Sequence, residues 1–352
     1  MHGDTLRQRV ALVTSGLGTR YGGIGVVDQM IISALEADHE LLLWEHPAFS
    51  PRWVRISTIA WRAGWGGLKR PDLVIYDHVH LAALHTVIPT LKGIPYVVFL
   101  HGVEVWQPLV GRRREALLGA KLLLTNSATT EIETRRFNPW LPEVKVTWLG
   151  VPGQSQPVDV TLSPPVGLMV GRILGIERYK GHDAVISAWP IIRAAVPEAS
   201  LMIVGTGNDE PRLRQRVRDE RLGGIEFCGR LSDADRDALY RSCRLLLFPS
   251  KGEGFGLAGV EAASYGVPVL GLKGTVTEEL FPEGTGAVLA GDLDGESIAR
   301  AAIPVLADAQ CAARLGQAAR ARVQAVFLQE HFLERFRRAI SPLLEEVSLP
   351  SV

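Results

Sequence analysis

Cysteine is scarce in this chain. There are three in 352 residues, Cys228, Cys243 and Cys311, and no CxxC pair. An odd, scattered set excludes a disulfide framework and offers no zinc knuckle. Net charge is also missing. Lys plus Arg and Asp plus Glu both number 38, so no global field marks a nucleic-acid binder and no nucleic-acid partner is expected. No apolar run approaches the ~18 residues of a membrane span. The opening "MHGDTLRQRVALVTS" lacks the flanked apolar stretch of a signal peptide. The expectation is a cytoplasmic protein, with a place on the inner face of the membrane left open by a basic segment considered below.

Short apolar runs are plentiful. "RVALVTS" (9–15), "LLLW" (41–44), "LVIYD" (73–77), "YVVFL" (96–100), "LLLTN" (122–126) and "VKVTWL" (144–149) alternate with stretches of helical period. After the polar, proline-rich "VPGQSQPVDVTLSPP" (151–165) the rhythm restarts with "VGLMVG", "SLMIVG", "GIEFCG", "RLLLFPS" and "VPVLGL". Continuous apolar strands separated by helices predict parallel sheets covered on both faces. Two such series predict two doubly wound α/β domains, residues 1–153 and 160–327. The amphipathic tail predicts a helix over about 328–347, which Pro342 should break or kink.

Ligands of open α/β sheets sit beyond the carboxyl ends of the strands, so chemistry is sought there. After the first strand, "SGLGTRYGGIGVVDQM" places Gly16, Gly18, Gly22, Gly23 and Gly25 ahead of a helix. Bare amides at a helix start suit a phosphate or a sugar; a tight turn is the plain alternative. Gly16, Gly18 and Gly22 also spell GxGxxxG, with Glu45 after the second strand, which keeps a dinucleotide site open. His101 closes the fourth strand as a hydrogen-bonding or proton-donating candidate, or as a structural histidine. No ligand set at metal spacing accompanies it, so no metal is expected.

In the second series, Arg172 and Lys180 flank the loop after "VGLMVG" and could clamp a diphosphate; solvated surface charge is the alternative. Arg178 reads as a bystander. Asn208 or Asp209 reads as a helix cap, and Ser232 with Asp235 as a capping box. Gly229 and Arg230 could border a base. The run "KGEGFGLAGVEAASYGVPVL" (251–270) carries Glu253 in a loop and Glu261 one turn inside a helix that Gly266 closes. Amides of Gly254, Phe255, Gly256 and Leu257 would face anionic oxygens, while the carboxylates accept from vicinal diols. Sugars and riboses supply such diols.

Glu253-x7-Glu261, Arg172 with Lys180-Gly181, the glycine loop at 22–25 and His101-Gly102 together resemble retaining glycosyltransferase family 4, of GT-B fold. The resemblance covers nearly the whole chain, in order. It implies two Rossmann-like domains facing across a cleft, with the C-terminal helix rejoining the first. It implies a metal-free, retaining hexosyl transfer from a UDP- or GDP-linked sugar, with no cofactor. The acceptor would be a glycan, a lipid-linked sugar or a small molecule.

By the same resemblance, Glu261 would hold ribose hydroxyls and Glu253 hydroxyls of the donor hexose. Arg172 and Lys180 would neutralise the leaving diphosphate. Gly22, Gly23 and His101 would approach the donor from the first domain. The chain departs from the family's pattern in two places. Seven residues separate Arg172 from Lys180. The last loop reads "LKGTVTEEL", with one glycine and no proline, leaving Glu278 or Glu279 as its acid.

Three rivals stand beside this reading: a sugar-nucleotide epimerase or hydrolase of the same architecture, an NAD(P)-dependent oxidoreductase, and a non-catalytic sugar-nucleotide binder. Finally, residues 50–70 carry Arg52, Arg55, Arg62, Lys69 and Arg70, with Trp53, Trp61 and Trp65 on one helical stripe. Such a segment packs on a sheet or lies in a membrane interface, where Arg112, Arg113 and Arg114 could reinforce it.

Overall fold

In the computed structural model, residues 7–16, 23–45, 70–154, 158 and 160–348 are described. The chain divides into two compact units, one of residues 1–149 with 329–352, the other of residues 150–328. The first contains β1 (Arg9–Thr14), α1 (Gly23–Leu35), β2 (Glu40–Glu45), β3 (Leu73–Tyr76), α2 (Val79–Ala82), β4 (Tyr96–Leu100), α3 (Arg112–Gly119), β5 (Leu122–Thr125), α4 (Ala128–Phe137) and β6 (Val144–Val146). Its sheet runs β2-β1-β3-β4-β5-β6, and every pairing is parallel. β3 and β4 are buried at every residue, as strands covered on both faces must be.

The second unit contains β7 (Val166–Val170), α5 (His182–Ala195), β8 (Ser200–Val204), α6 (Glu210–Asp219), β9 (Ile225–Gly229), α7 (Asp233–Ser242) and β10 (Leu245–Leu247). It continues with α8 (Leu257–Ser264), β11 (Val269–Leu272), α9 (Val276–Leu280), β12 (Ala287–Ala290), α10 (Gly295–Ala307) and α11 (Ala309–Val326). Its sheet is also parallel, in the order β12-β11-β10-β7-β8-β9. Trp189 of α5 is fully buried. A Cβ on Gly167 of β7 would stand 2.8 Å from Leu247 and 3.3 Å from that indole, so only glycine lets the ring lie on the sheet.

The eleven strands expected from the apolar runs are all present. β12 was not expected. Its four residues, "AVLA", sit between glycines and carry too little pattern to be read alone.

The expected tail helix is present as α12 (Gln329–Ser348), and Pro342 does not break it. Phe332, Phe336, Ile340 and Leu344 recur every four residues and are buried, forming one apolar stripe on both sides of the proline. Ser341 Oγ donates to the Arg337 carbonyl at 2.8 Å, and Arg337 Nε donates to the Ala34 carbonyl at the end of α1 at 2.7 Å. Side-chain packing and these bonds hold the helix where the proline withdraws a donor.

Phe336→Ala should therefore lower stability by about 3–5 kcal/mol, the usual range for emptying a buried aromatic site. Denaturant unfolding of the purified chain measures it.

Candidate functional site

In the second unit the strand order reverses between β7 and β10, so the loops leaving these two strands lie side by side. Crevices at such switch points are where open α/β sheets bind ligands. Glycine sets how closely the two loops meet. A Cβ on Gly181, which has φ +87°, would stand 2.9 Å from the Pro249 carbonyl. One on Gly252 would strike the Tyr179 ring at 2.5 Å, and Lys251 N donates to the Tyr179 carbonyl at 3.0 Å. This packing carries Lys180, on the β7 loop, to Glu253, on the β10 loop. Lys180 Nζ and Glu253 Oε1 form an ion pair, with both side chains under one-fifth exposed. The lysine stem passes 3.8 Å from the Cβ position of Gly171, next to Arg172.

Arg172 is held differently. Its guanidinium bonds the nearly buried Glu177 Oε1 at 2.5 Å and is otherwise largely exposed. The sequence reading did not single out Glu177. A glutamate five residues after an arginine in a loop gives no periodic signal. Gly205 and Gly207 allow the β8 exit to press on the same loop. A Cβ on either would overlap the Gly171 or the Ile173 carbonyl.

Of the two residues expected to cap α6, Asp209 occupies the N-cap position but its side chain makes no cap bond, and Asn208 Oδ1 accepts from Gly175 N at 2.9 Å. Asp209 instead binds Arg212 at 2.6 Å and Arg178 at 3.1 Å, and Arg212 reaches on to Asp183 at the start of α5. Arg178, expected to be a bystander, thus belongs to a network that fixes the start of α5 just after Lys180. Arg212 first, then Arg178, holds the Asp209 carboxyl down at about 2.

α8 opens at Gly256, which has φ +83° and supplies no side-chain cap. Gly256 closes against the Phe248 ring, which a Cβ would meet at 2.7 Å. The Phe255 side chain is core, edge-on to Phe327 at 5.9 Å, so only its amide is available to a ligand. Gly254 is buried and Leu257 half-buried beside it. Glu261 lies one turn inside α8. Tyr240, buried on α7, donates to Glu261 Oε2 at 3.0 Å, and Arg236 Nε stands 3.9 Å away. Burial pushes the Glu261 carboxyl up, against the pull of Arg236 and Tyr240.

The two acids of Glu-x7-Glu therefore have separate partners, a lysine for one and a tyrosine with an arginine for the other. Arg230 is exposed at the exit of β9. Gly274 N occupies Glu278, and Glu279 is half-buried. Ser232 caps α7 through Asp235 N, as read. Among the described residues no group of three or more His, Cys, Asp or Glu is placed to hold a metal ion.

In the first unit, His101 follows β4. Its Nε2 lies 2.5 Å from the Asp77 carbonyl, and its own amide donates to Glu104 at 2.6 Å. Gly23 is the exposed first residue of α1. Gly18, Gly22 and residues 46–69, with their arginines and tryptophans, lie outside the described residues. Glu45 ends β2, beside β1.

Residues 155–322 match a model of the family described as glycosyl transferases group 1. A GDP-mannose-dependent monoacylated alpha-(1-6)-phosphatidylinositol monomannoside mannosyltransferase of Corynebacterium glutamicum is 31% identical over 212 residues, which cover 58% of this chain and 52% of that protein. A glycogen synthase of Mycobacterium tuberculosis is 31% identical over 277 residues, 73% of this chain and 66% of that one. The chain thus spans from about half to just under two-thirds of these relatives.

Among solved structures, sucrose-phosphate synthase from Thermosynechococcus elongatus superposes with TM-score 0.79 at 18% identity, over 97% of this chain and all of that one. HepE of Anabaena, solved with UDP and glucose, gives 0.74 at 17%, over 95% and all. At these identities the likeness shows the fold. It is the GT-B fold of two parallel-sheet, Rossmann-like domains.

The depressed Asp209 carboxyl fixes a sign. It is ionised in the folded chain down to about 2, and ordinarily down to about 3.9 when unfolded. Its stabilisation is therefore present above pH ~4 and lost as pH falls toward 2. Asp209→Asn should lower the melting temperature at neutral pH and flatten its fall with acidification. Melting curves across that range provide the check.

Proposed function

Since residues 155–322 match the glycosyl transferases group 1 model, we propose that the chain is a retaining hexosyltransferase of glycosyltransferase family 4. It moves a sugar from a GDP- or UDP-linked donor to an acceptor hydroxyl in glycan, polysaccharide or glycolipid synthesis. The observation that carries this reading is the Lys180–Glu253 pair at the switch point, next to the uncapped start of α8. A nucleotide diphosphate needs cations and free amides, and the sugar it carries needs a hydroxyl acceptor. Lys180 occupies Oε1 of Glu253, which leaves Oε2 to accept from the hexose. Arg172 and Lys180 oppose the charge that grows on the departing diphosphate, together with the amides of Phe255, Gly256 and Leu257. Glu261 accepts from the ribose, and Gly229 and Arg230 border the base.

Retention through a covalent intermediate would need a nucleophile under the anomeric carbon. None was identified in the sequence, and a front-face departure in which the leaving phosphate takes the acceptor's proton fits these groups. The roles that the resemblance gives His101, Gly22 and Gly23 belong to the same proposal. So does independence from metal and cofactor. The GDP-mannose-dependent relative favours a mannosyl donor on GDP, and HepE, solved with UDP and glucose, keeps a glucosyl donor on UDP beside it.

Peripheral contact with anionic membrane through residues 50–70 is a further part of the proposal. Arg112 and Arg114 in the first turn of α3 and Val110 just before it are exposed, the valine at 71%. No helix among the described residues is long and apolar enough to cross a membrane.

A panel of nucleotide sugars, read by thermal shift, tests the donor. A true donor at 100 times its dissociation constant stabilises by about 2.7 kcal/mol. Labelled donor then separates transfer from hydrolysis or epimerisation, and nicotinamide absorbance tests the oxidoreductase rival.

Lys180→Ala should lower transfer by on the order of 100- to 1000-fold. It also leaves Glu253 unpaired, at about 1–3 kcal/mol of stability, which Lys180→Ala/Glu253→Gln should partly restore. Near-normal transfer by Lys180→Ala would remove that residue from the diphosphate site. Activity should survive EDTA; a complete loss that manganese or magnesium restores would refute the metal-free mechanism.

A further inference from the structure

The first unit has its own switch point. β1 lies between β2 and β3, so the exits of β1 and β3 adjoin. Asp77 stands at that junction, directly after β3, and is fully buried. Its amide donates to the Val13 carbonyl at 3.1 Å. Its Oδ2 accepts from Ser15 N at 2.9 Å and from Ser15 Oγ at 3.1 Å. Its carbonyl meets His101 Nε2. One residue thus holds the loops that leave β1 and β4.

Behind it lies Asp28 of α1, also fully buried. Asp28 Oδ2 accepts from Thr14 Oγ1 at 2.5 Å, and Thr14 Oγ1 accepts from Gly16 N at 3.0 Å. The remaining oxygen of each carboxyl, Oδ1 in both, is buried and receives no donor. Two anions cannot be buried together without counter-charge. Among the described residues, the groups facing the pair are Thr14, which ends β1, Ser15, which follows it, and the His101 ring just after β4. None of these is a lysine or arginine. A proton on one carboxyl would remove one charge and give the other a donor.

We propose that Asp28 and Asp77 hold one proton between them, and that this pair positions the exits of β1 and β4 at the ligand-binding edge of the first unit. Asp28 carries the proton, since it has one hydroxyl donor against the two that Ser15 gives Asp77. Burial, then the Asp77 charge, raises the Asp28 carboxyl well above the carboxylate range. Asp77 is the anion that grips Ser15. Both are positioning residues, and their service to glycosyl transfer rests on the function proposed above.

The test needs no substrate, so its failure is distinct from failure of that function, which the donor screen reads. At neutral pH the wild-type chain should show the infrared carbonyl band of a protonated, buried carboxyl. Asp28→Asn should abolish it while keeping the fold, because the amide donates in place of the acid. Hydrogen exchange at Ser15 and Gly16 supplies the second readout. Wild-type protection should fall from neutral to alkaline pH as the shared proton leaves, and Asp28→Asn should keep it. A wild type without the band, a band that persists in Asp28→Asn, or protection in the wild type that is indifferent to pH would each overturn the proposal. Asp77→Asn, which retains an acceptor for Ser15, should protect these amides better than Asp77→Ala. Equal exchange in the two would deny Asp77 the positioning role.

Discussion

The parallel pairing of β7 with β10 is the constraint on which the second unit's candidate site depends. Strands formed far apart in the chain become neighbours there, and their exit loops must share one edge of the sheet. Glycine at 181 and 252 removes the side chains that would keep those loops apart. An ammonium and a carboxylate separated by 72 residues in sequence then become an ion pair. Replacing either glycine would displace both partners without touching a charge.

Around this pair the structure spends much of its charge on position. Arg212 joins Asp209 to Asp183, and Arg178 joins Asp209 to the Lys180 loop. Such pairs contribute modestly to stability when exposed. Their value here is geometric, because they hold the start of α5 to the start of α6. Glu261 is held in the same spirit by a tyrosine and an arginine from α7. Among the described residues, Arg230 and the amides at the start of α8 carry no side-chain partner of this kind, and Arg172 is anchored by Glu177 yet largely exposed; these are the kinds of group that a phosphate or a base would engage.

Much of this was legible beforehand, and the reasons are physical. Eleven strands announce themselves as apolar runs, and Gly266 announces the end of α8. Arg172, Lys180, Glu253 and Glu261 stand at strand ends and helix starts, where chemistry is sought. What was not legible depends on partners distant in the chain. Nothing local reveals that Asp209 prefers arginines to the amides of α6, or that Glu177 receives Arg172. Asp28 sits inside an apolar helix and Asp77 at the end of an apolar strand. Their meeting is visible only after the sheet has formed. That the helix continues past Pro342 was likewise not legible locally, because it depends on a four-residue stripe of buried side chains.

The division of the chain bears on the order in which the protein can be built. Residues 150–328 interrupt the first unit, whose final helix begins only at Gln329. On a ribosome the second unit is therefore fully translated before the first has received α12. Until then the face of α1 that Arg337 grips, and the groove that accepts Phe332 and Phe336, lack their cover. Domains that begin earliest usually finish earliest. Here the sequence of completion is inverted, and the nascent amino-terminal half carries an unsealed apolar surface through the synthesis of everything between.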